Sequence, residues 1–312
     1  MEYLLLIVGF ILLLYGGKLL VNGGVALAER YHVSPMVIGL TVVSFGTSAP
    51  ELFVSAAAAL KNHPQVAIGN VIGSNIANIA LVLALTAMIF PIPVKRNTIK
   101  IDAPFMLMAS ALLWLLMLNN VLELWEGILF IFLLTCYTLG LFHFSVKNKY
   151  PADPDIPSYK MGLGKIIILL ILADVGLAFG SDMLVSNATI IAKNFNISER
   201  VIAITVVAFG TSLPELATSV IAAFRKEMDI SVGNIIGSNI FNILAVLGIA
   251  SIIKPIQIEN MGFLTEDMYW MLGISILLFV FILPFRKGLL TRFKGAVLFV
   301  LYLFYIYMLF KK

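Results

Sequence analysis

A six-residue motif that combines a carboxylate, two hydroxyls and a proline occurs twice in this chain, each time inside a long apolar segment. The copies are Gly46-Thr47-Ser48-Ala49-Pro50-Glu51 and Gly210-Thr211-Ser212-Leu213-Pro214-Glu215. Ionisable residues are costly inside a membrane and face the protein interior or a water-filled cavity. The duplication therefore predicts that both segments contribute to one buried site.

Composition places both copies in a membrane. Hydrophobic residues make up 61% of the 312 residues and charged residues 12%, and the mean hydropathy is +1.02. Soluble domains carry about 25% charged residues. The basic residues lie in short loops and form no basic stripe, which argues against nucleic acid as a partner. The single Cys136 excludes a disulfide framework, and the apolar N-terminus is interpreted as a first span.

Apolar stretches predict ten transmembrane helices, since one span needs about 20 apolar residues. They cover roughly 3–28, 35–60, 66–90, 101–118, 122–145, 161–191, 198–224, 230–253, 268–285 and 293–310. A polar, proline-containing segment over 147–160 is predicted to be a cytoplasmic linker. It separates a first five-helix unit (1–146) from a second (161–312).

An internal repeat relates the two units. At the same offset as the motif, Gly69-Asn70-Val71-Ile72-Gly73-Ser74-Asn75-Ile76 falls on Gly233-Asn234-Ile235-Ile236-Gly237-Ser238-Asn239-Ile240, and Asn78 falls on Asn242. Because each unit holds an odd number of spans, the second enters the membrane from the opposite side. The predicted fold is an all-α polytopic membrane protein with two inverted five-helix repeats, an arrangement typical of secondary transporters.

The distribution of basic residues predicts the orientation. With the N-terminus outside, the inner loops hold Arg30, Lys95, Arg96, Lys100, Lys147, Lys149, Lys160, Lys165, Arg225, Lys226, Arg286, Lys287, Arg292 and Lys294. The outer side holds only Lys61, Lys193, Arg200, Lys254, Lys311 and Lys312. We therefore expect a multi-pass protein of the plasma membrane with both termini outside.

The residue types around the two glutamates predict a site for hard cations. Pro50 and Pro214 should interrupt their helices and free backbone carbonyls. Spans three and eight add hydroxyls and amides one turn apart, namely Ser74 with Asn78 and Ser238 with Asn242. Oxygen ligands suit Ca²⁺ or Na⁺ better than Zn²⁺ or copper. Two buried glutamates need one Ca²⁺, several Na⁺ or protons as compensation, and such mutually exclusive occupants are the physical basis of antiport.

Several of these residues also have plainer interpretations. Ser74 and Ser238, taken alone, would be packing serines bonded to their own helices. Asn70 and Asn234 are interpreted as helix caps or interhelical hydrogen bonders rather than ligands. Asp174 has no acidic counterpart in the repeat, and a structural and a proton-linked role are both open.

At these motifs the sequence resembles the sodium/calcium exchanger family of the Ca²⁺/cation antiporters. The resemblance implies that Glu51 and Glu215 are shared by Ca²⁺ and Na⁺. By position it implies further cation ligands at Thr47, Thr211, Ser48, Ser212, Ser74, Ser238, Asn78 and Asn242, and at the carbonyls of Ser44 and Ala208. It also implies that the first and sixth helices slide to switch access, which suits their glycine-rich faces. Asn242 stands where potassium-dependent members have Asp, which argues against K⁺ co-transport.

The expected function is Na⁺-driven Ca²⁺ export by alternating access, carried out by a monomer without a cofactor. A Ca²⁺/H⁺ exchanger that uses the same carboxylates is the nearest alternative, and a cation channel is a second. An enzyme is not expected, because no metalloprotease or nucleophile-elbow motif occurs. The expected partners are Ca²⁺, Na⁺ and the lipid bilayer.

Overall fold

The computed structural model describes residues 2–61, 63–147, 161–194, 208–258, 262–283 and 288–311, and these are almost entirely helical. We number the helices α1 (Glu2–Tyr31), α2 (Pro35–Thr47), α3 (Ala49–Leu60), α4 (Gln65–Ile89), α5 (Thr98–Asn119), α6 (Leu124–Lys147), α7 (Leu163–Asn194), α8 (Ala208–Thr211), α9 (Leu213–Phe224), α10 (Met228–Ile253), α11 (Phe263–Ile282) and α12 (Arg292–Phe310).

Within these ranges, eight helices are long and apolar enough to cross a membrane, and α2 with α3 forms a ninth candidate that bends by 48°. The all-helical membrane architecture predicted from the sequence is confirmed. The predicted span at 198–224 begins outside the described residues, and its described part consists of α8 and α9. Most of the predicted linker, 148–160, also lies outside them.

Segments of π-helix recur at matching positions in the two halves. They begin at Asn78 and Asn242, one repeat apart, and also cover Thr98–Asp102 and Phe263–Asp267. A further segment, Gly39–Val43, lies within α2. In a π-helical turn the hydrogen bonds span five residues instead of four, and such bulges in α-helices occur often at functional sites.

Two short antiparallel strand pairs connect the halves. Strand β1 (Ile92–Pro93) pairs with β4 (Leu289–Leu290), and β2 (Val121–Leu122) pairs with β3 (Ile256–Gln257). Gly288 allows the turn before β4 with a φ of 60°. The loop after α4 is thereby joined to the loop before α12, and the loop after α5 to the loop after α10.

The core lies around α4 and α10, which are mostly buried, whereas α1, α6, α7 and α12 expose most of their surface. Helix α1 packs along α7 at small residues. A Cβ on Gly9 would lie 2.8 Å from the carbonyl oxygen of Gly180, and one on Gly16 would lie 3.0 Å from the backbone nitrogen of Leu177. The glycines predicted for these two helices therefore allow close backbone approach.

Candidate cation site

Ser48 and Ser212 interrupt the two motif-bearing helices. Their φ and ψ angles are −89° and 5°, and −88° and 4°, respectively. Pro50 and Pro214 lie in the first turns of α3 and α9, where the missing proline N–H breaks no helical bond. The predicted interruption is confirmed, and it falls at the serine, two residues before the proline.

Glu51 and Glu215 lie in the first turns that follow these breaks, and both are fully buried. The motif that carries Glu51 also contacts Glu215. Ser48 Oγ donates to Glu215 Oε1 over 3.1 Å. Within the described part of the chain, both oxygens of Glu51 and Oε2 of Glu215 have no hydrogen-bond partner. A buried charge without a partner is strongly destabilising, so this pair requires compensation by a bound cation or by protons.

The serine contacts at the two carboxylates are not symmetric. The repeat relates Ser212 to Ser48, so a symmetric arrangement would have Ser212 donate to Glu51. The Ser212 hydroxyl is instead buried and, among the described residues, has no hydrogen-bond partner. The Glu51 carboxylate and the Ser212 hydroxyl therefore both have oxygens available to a ligand.

Hydroxyls of the α2 segment are engaged by α10. Thr47 Oγ1 lies 3.0 Å from Asn234 Oδ1 and 3.3 Å from Ser238 Oγ. Ser44 Oγ donates to the Asn234 carbonyl over 2.9 Å. The Ser44 carbonyl accepts the Ser48 N–H over 2.9 Å and Thr47 Oγ1 over 3.4 Å. A hydroxyl that donates keeps its own lone pairs, so both the hydroxyl and the carbonyl oxygens of Ser44 and Thr47 are groups that could be offered to a cation.

The corresponding residues of the second repeat are described less fully. Ala208 is the first residue of α8, and Thr211, its last, is partly exposed. Both come directly before the break at Ser212.

Four predicted ligands of spans three and eight are buried within α4 and α10: Ser74, Asn78, Ser238 and Asn242. Among the described residues, the Ser74 hydroxyl and both polar atoms of the Asn78 amide have no hydrogen-bond partner. Ser74 therefore does not bond to its own helix, which counts against its packing interpretation. The two asparagines begin the matching π-helical segments.

Asn70 and Asn234 connect neighbouring helices. Asn70 Nδ2 donates to the Glu51 carbonyl over 3.2 Å and to Ser55 Oγ over 3.0 Å. Asn234 Nδ2 donates to Ser219 Oγ over 3.1 Å. The interhelical role predicted for both asparagines is confirmed, and they support the helices that carry the glutamates.

Sequence reasoning overlooked Asn75 and Asn239, although both lie inside the repeated Gly-Ser-Asn-Ile segment. Asn75 Nδ2 donates to the Asn239 carbonyl over 3.3 Å and lies 3.7 Å from Met271 Sδ. Asn239 Nδ2 lies 3.7 Å from Met106 Sδ. Their position in the repeat, next to Ser74 and Ser238, was the available signal.

Glycine pairs on α4 and α10 have different surroundings although they match in the repeat. A Cβ on Gly237 would lie 2.7 Å from the Leu40 carbonyl oxygen, and one on Gly233 would lie 2.8 Å from that of Met36. A Cβ on Gly73 would have nothing described within 4 Å. Gly73 is also partly exposed, whereas Gly237 is buried. Helix α2 therefore packs closely on α10 at these glycines. The segment that the repeat would place against Gly73 lies mostly outside the described residues.

Two polar side chains of helix α7 contact the two broken helices. Ser181 Oγ donates a hydrogen bond of 2.6 Å to the Gly210 carbonyl. Residue 214, which would donate to this carbonyl in a regular α-helix, is proline and has no N–H. Asp174 lies with its carboxylate against Gly46, the equivalent glycine of the first motif. Its Oδ1 is buried and, in the described ranges, without a hydrogen-bond partner. These contacts join α7 to both motifs.

Comparison with known proteins decides the family. The family model described as sodium/calcium exchanger protein matches residues 1–143 and 165–311. The chain belongs to the sodium/calcium exchanger family. It is therefore a multi-pass membrane antiporter of the kind that transports calcium and sodium ions, and its similarity to known exchangers extends along almost its whole length.

Three relatives illustrate this similarity. The exchanger is 38% identical to the putative antiporter CaxA of Alkalimonas amylolytica, over 97% of both chains. It is 32% identical to the sodium/calcium exchanger MaX1 of Methanosarcina acetivorans, over 99% of this chain and 98% of the relative. A solved structure of the sodium-calcium exchanger NCX_Mj matches it with a TM-score of 0.82 and 34% identity, over 99% and 98% of the respective chains.

Proposed function

We propose that this exchanger moves Ca²⁺ out of the cell in return for Na⁺ by alternating access, with both ions competing for Glu51 and Glu215. The observation that carries the proposal is the pair of fully buried carboxylates, three of whose oxygens have no hydrogen-bond partner among the described residues. One Ca²⁺ neutralises both charges and accepts 6–8 oxygen ligands, which the surrounding hydroxyls, amides and carbonyls supply. Na⁺ ions at the same oxygens would exclude Ca²⁺.

The neutral oxygens favour Na⁺ over H⁺ as the coupling ion. Ser74 Oγ, Ser212 Oγ, Asn78 Oδ1 and Asn242 Oδ1 are buried and have no hydrogen-bond partner among the described residues. A proton bound to a carboxylate needs no such ligands, whereas Na⁺ requires several oxygens to replace its hydration shell. By resemblance to the family, we assign Ser48 and Ser74 to one flanking Na⁺ position, and Ser212 and Ser238 to the other.

Paired structural features support two inverted five-helix repeats. The π-helical segments recur one repeat apart, and the two serine breaks have nearly identical dihedral angles. Each strand pair joins loops that ten alternating spans would put on the same side of the membrane. The salt bridge between Lys95, after α4, and Asp229, at the start of α10, also joins two such regions. With both termini outside, Lys95 and Asp229 face the cytoplasm.

Alternating access would close one of two symmetry-related helix contacts at a time. The contact of α2 with α10 lies on the predicted cytoplasmic side of the glutamates and is closed at Gly233 and Gly237. Its symmetry-related counterpart would lie on the outer side, between Gly73 of α4 and a segment that falls outside the described part of the chain. We propose that the contact at Gly237 and the contact at Gly73 close in turn during the transport cycle. Sliding of α1 and α7 would couple this alternation to both breaks through Ser181 and Asp174.

The proposal is tested by ⁴⁵Ca²⁺ uptake into proteoliposomes. One set is loaded with Na⁺, a second with choline at equal pH, and a third carries a pH gradient without Na⁺. We expect uptake only where internal Na⁺ is present. Uptake driven by the pH gradient alone would contradict Na⁺ coupling and identify a Ca²⁺/H⁺ exchanger, while uptake that neither saturates nor needs a counter-ion would indicate a channel.

The flanking serines provide a separate prediction. Ser74→Ala and Ser238→Ala should each raise the half-saturating Na⁺ concentration for exchange by about 3- to 10-fold, as expected for the loss of one ligand oxygen, with a smaller effect on Ca²⁺. Exchange is measured as initial ⁴⁵Ca²⁺ flux against Na⁺ and Ca²⁺ in turn. Ser251→Ala is the control, since Ser251 is also buried in α10 but donates to the Leu247 carbonyl over 2.8 Å. A larger effect on Ca²⁺ than on Na⁺ would overturn the assignment.

A further inference from the structure

The orientation of the Asn242 amide is fixed by a chain of hydrogen bonds that starts at a backbone carbonyl. The Asn239 carbonyl can only accept, so the atom of Asn75 that approaches it to 3.3 Å must be Nδ2. Oδ1 is then the other polar atom of Asn75. Because Oδ1 accepts, the atom of Asn242 that lies 3.1 Å from it must be Nδ2. The oxygen of the Asn242 amide is therefore turned away from Asn75.

The Asn242 amide oxygen is placed where it could bind a cation. Asn242 Oδ1 is buried and has no partner among the residues that the structure describes. Asn242 follows Ser238 by one helical turn, and the Ser238 hydroxyl contacts Thr47 of the first motif. A flipped amide would present an NH₂ group on the same side, and an NH₂ donor repels a cation.

The symmetry-related bond is not formed. The repeat relates Asn75 to Asn239 and Asn242 to Asn78, so a symmetric structure would have Asn78 Nδ2 donate to Asn239 Oδ1. Within the described ranges, both of these atoms have no hydrogen-bond partner. The amide of Asn242 is thus held in one orientation, whereas no hydrogen bond from the described part of the chain holds the amide of Asn78.

We propose that Asn75 is a positioning residue of the cation site, which keeps the Asn242 amide turned so that its oxygen is offered to a bound Na⁺ or Ca²⁺. The inference rests on the proposed function and adds a residue that neither touches the ion nor belongs to the two motifs. It also divides the asparagines by role: Asn242 offers a preset oxygen, and Asn78 is free to rotate when an ion binds.

The test compares Asn75→Ala with the symmetry-matched control Asn239→Ala, with Na⁺ and Ca²⁺ titrated separately. Binding is measured as the ion-dependent rise in melting temperature, since a ligand of the folded state stabilises it, and transport as ⁴⁵Ca²⁺ exchange. We expect Asn75→Ala to raise the half-saturating concentration of at least one ion by about 3- to 10-fold, with little change in maximal rate. Asn239→Ala should change it by less than about 2-fold.

A second background separates orientation from general packing. A carboxylate carries oxygen on both branches, so in the Asn242→Asp background the orientation no longer matters. There, adding Asn75→Ala should produce no further loss of affinity. A loss that persists in this background, or equal losses in Asn75→Ala and Asn239→Ala, would overturn the proposal.

Two further arms complete the experiment. If Asn75→Ala fails to fold, Asn75→Leu replaces it, because leucine keeps a similar side-chain volume and offers no acceptor to Asn242 Nδ2; it should show the same loss of about 3- to 10-fold. An unchanged affinity for both ions in Asn75→Leu contradicts the proposal. Failure of the proposed function is distinguishable, since the wild-type protein itself would then lack Na⁺-dependent exchange.

Discussion

Replacement of Glu51 by glutamine is expected to abolish Ca²⁺ exchange, and replacement of Glu215 to do the same. Glutamine keeps the size of the side chain and removes half of the charge that a divalent ion would neutralise. Disrupting a buried charge pair typically costs about 3–5 kcal/mol, which corresponds to a loss of Ca²⁺ affinity of at least about 100-fold. The measurement is ⁴⁵Ca²⁺ binding to the purified variants, followed by Na⁺-driven uptake.

The matched control is Asp102→Asn, another buried carboxylate of the membrane domain. Asp102 lies at the start of α5, and its Oδ1 accepts a hydrogen bond of 2.9 Å from the Tyr137 hydroxyl. Because asparagine also has an acceptor oxygen, this variant should bind and transport Ca²⁺ like the wild type. Near-normal exchange in Glu51→Gln or Glu215→Gln would withdraw the assignment of the site.

The symmetry-related glycines Gly237 and Gly73 should respond to alanine in opposite ways. Gly237→Ala pushes a methyl group against the backbone of Leu40, and overpacking of this kind costs about 1–3 kcal/mol. We therefore expect a lower melting temperature and a shift away from the described state. For Gly73→Ala, no atom of the described residues lies within 4 Å of the added methyl group, and we expect a smaller change in the melting temperature.

Transport should nevertheless slow in Gly73→Ala. If the inward-facing state packs Gly73 as tightly as this structure packs Gly237, the added methyl group destabilises the inward-facing state by a similar free energy. The initial exchange rate should then fall by about 10-fold or more. The measurement pairs thermal unfolding with ⁴⁵Ca²⁺ flux in both variants. Normal flux in Gly73→Ala would contradict the proposal that the contacts at Gly237 and Gly73 close in turn.

Sequence reasoning predicted most of the membrane architecture and an interruption near Pro50 and near Pro214, because each depends on a strong local signal; the structure places these breaks at Ser48 and Ser212. Long apolar stretches have few alternatives to membrane helices, and a proline limits where a helix can continue. The glutamates stood out because two carboxylates occurred in register inside apolar segments. Which ions they bind, and how ten spans cross the membrane, remain proposals.

The departures from symmetry could not be predicted from the repeat. A repeat makes Ser48 and Ser212 equivalent, yet among the described residues only the Ser48 hydroxyl donates to a glutamate. Long-range contacts such as that of Ser181 with the Gly210 carbonyl have no counterpart in the repeat, since residue 17 is glycine. Asn75 was overlooked because its role depends on a hydrogen-bond chain between helices that sequence spacing does not encode.

Equilibrium ⁴⁵Ca²⁺ binding to the purified exchanger at increasing Na⁺ concentrations tests most directly whether both ions compete for Glu51 and Glu215. We expect Na⁺ to raise the Ca²⁺ concentration needed for half-saturation while the maximal number of bound Ca²⁺ ions stays constant. Choline should have no effect at equal ionic strength. A fall in maximal binding without a shift of the midpoint, or Ca²⁺ binding that is indifferent to Na⁺, would contradict a shared pair of carboxylates.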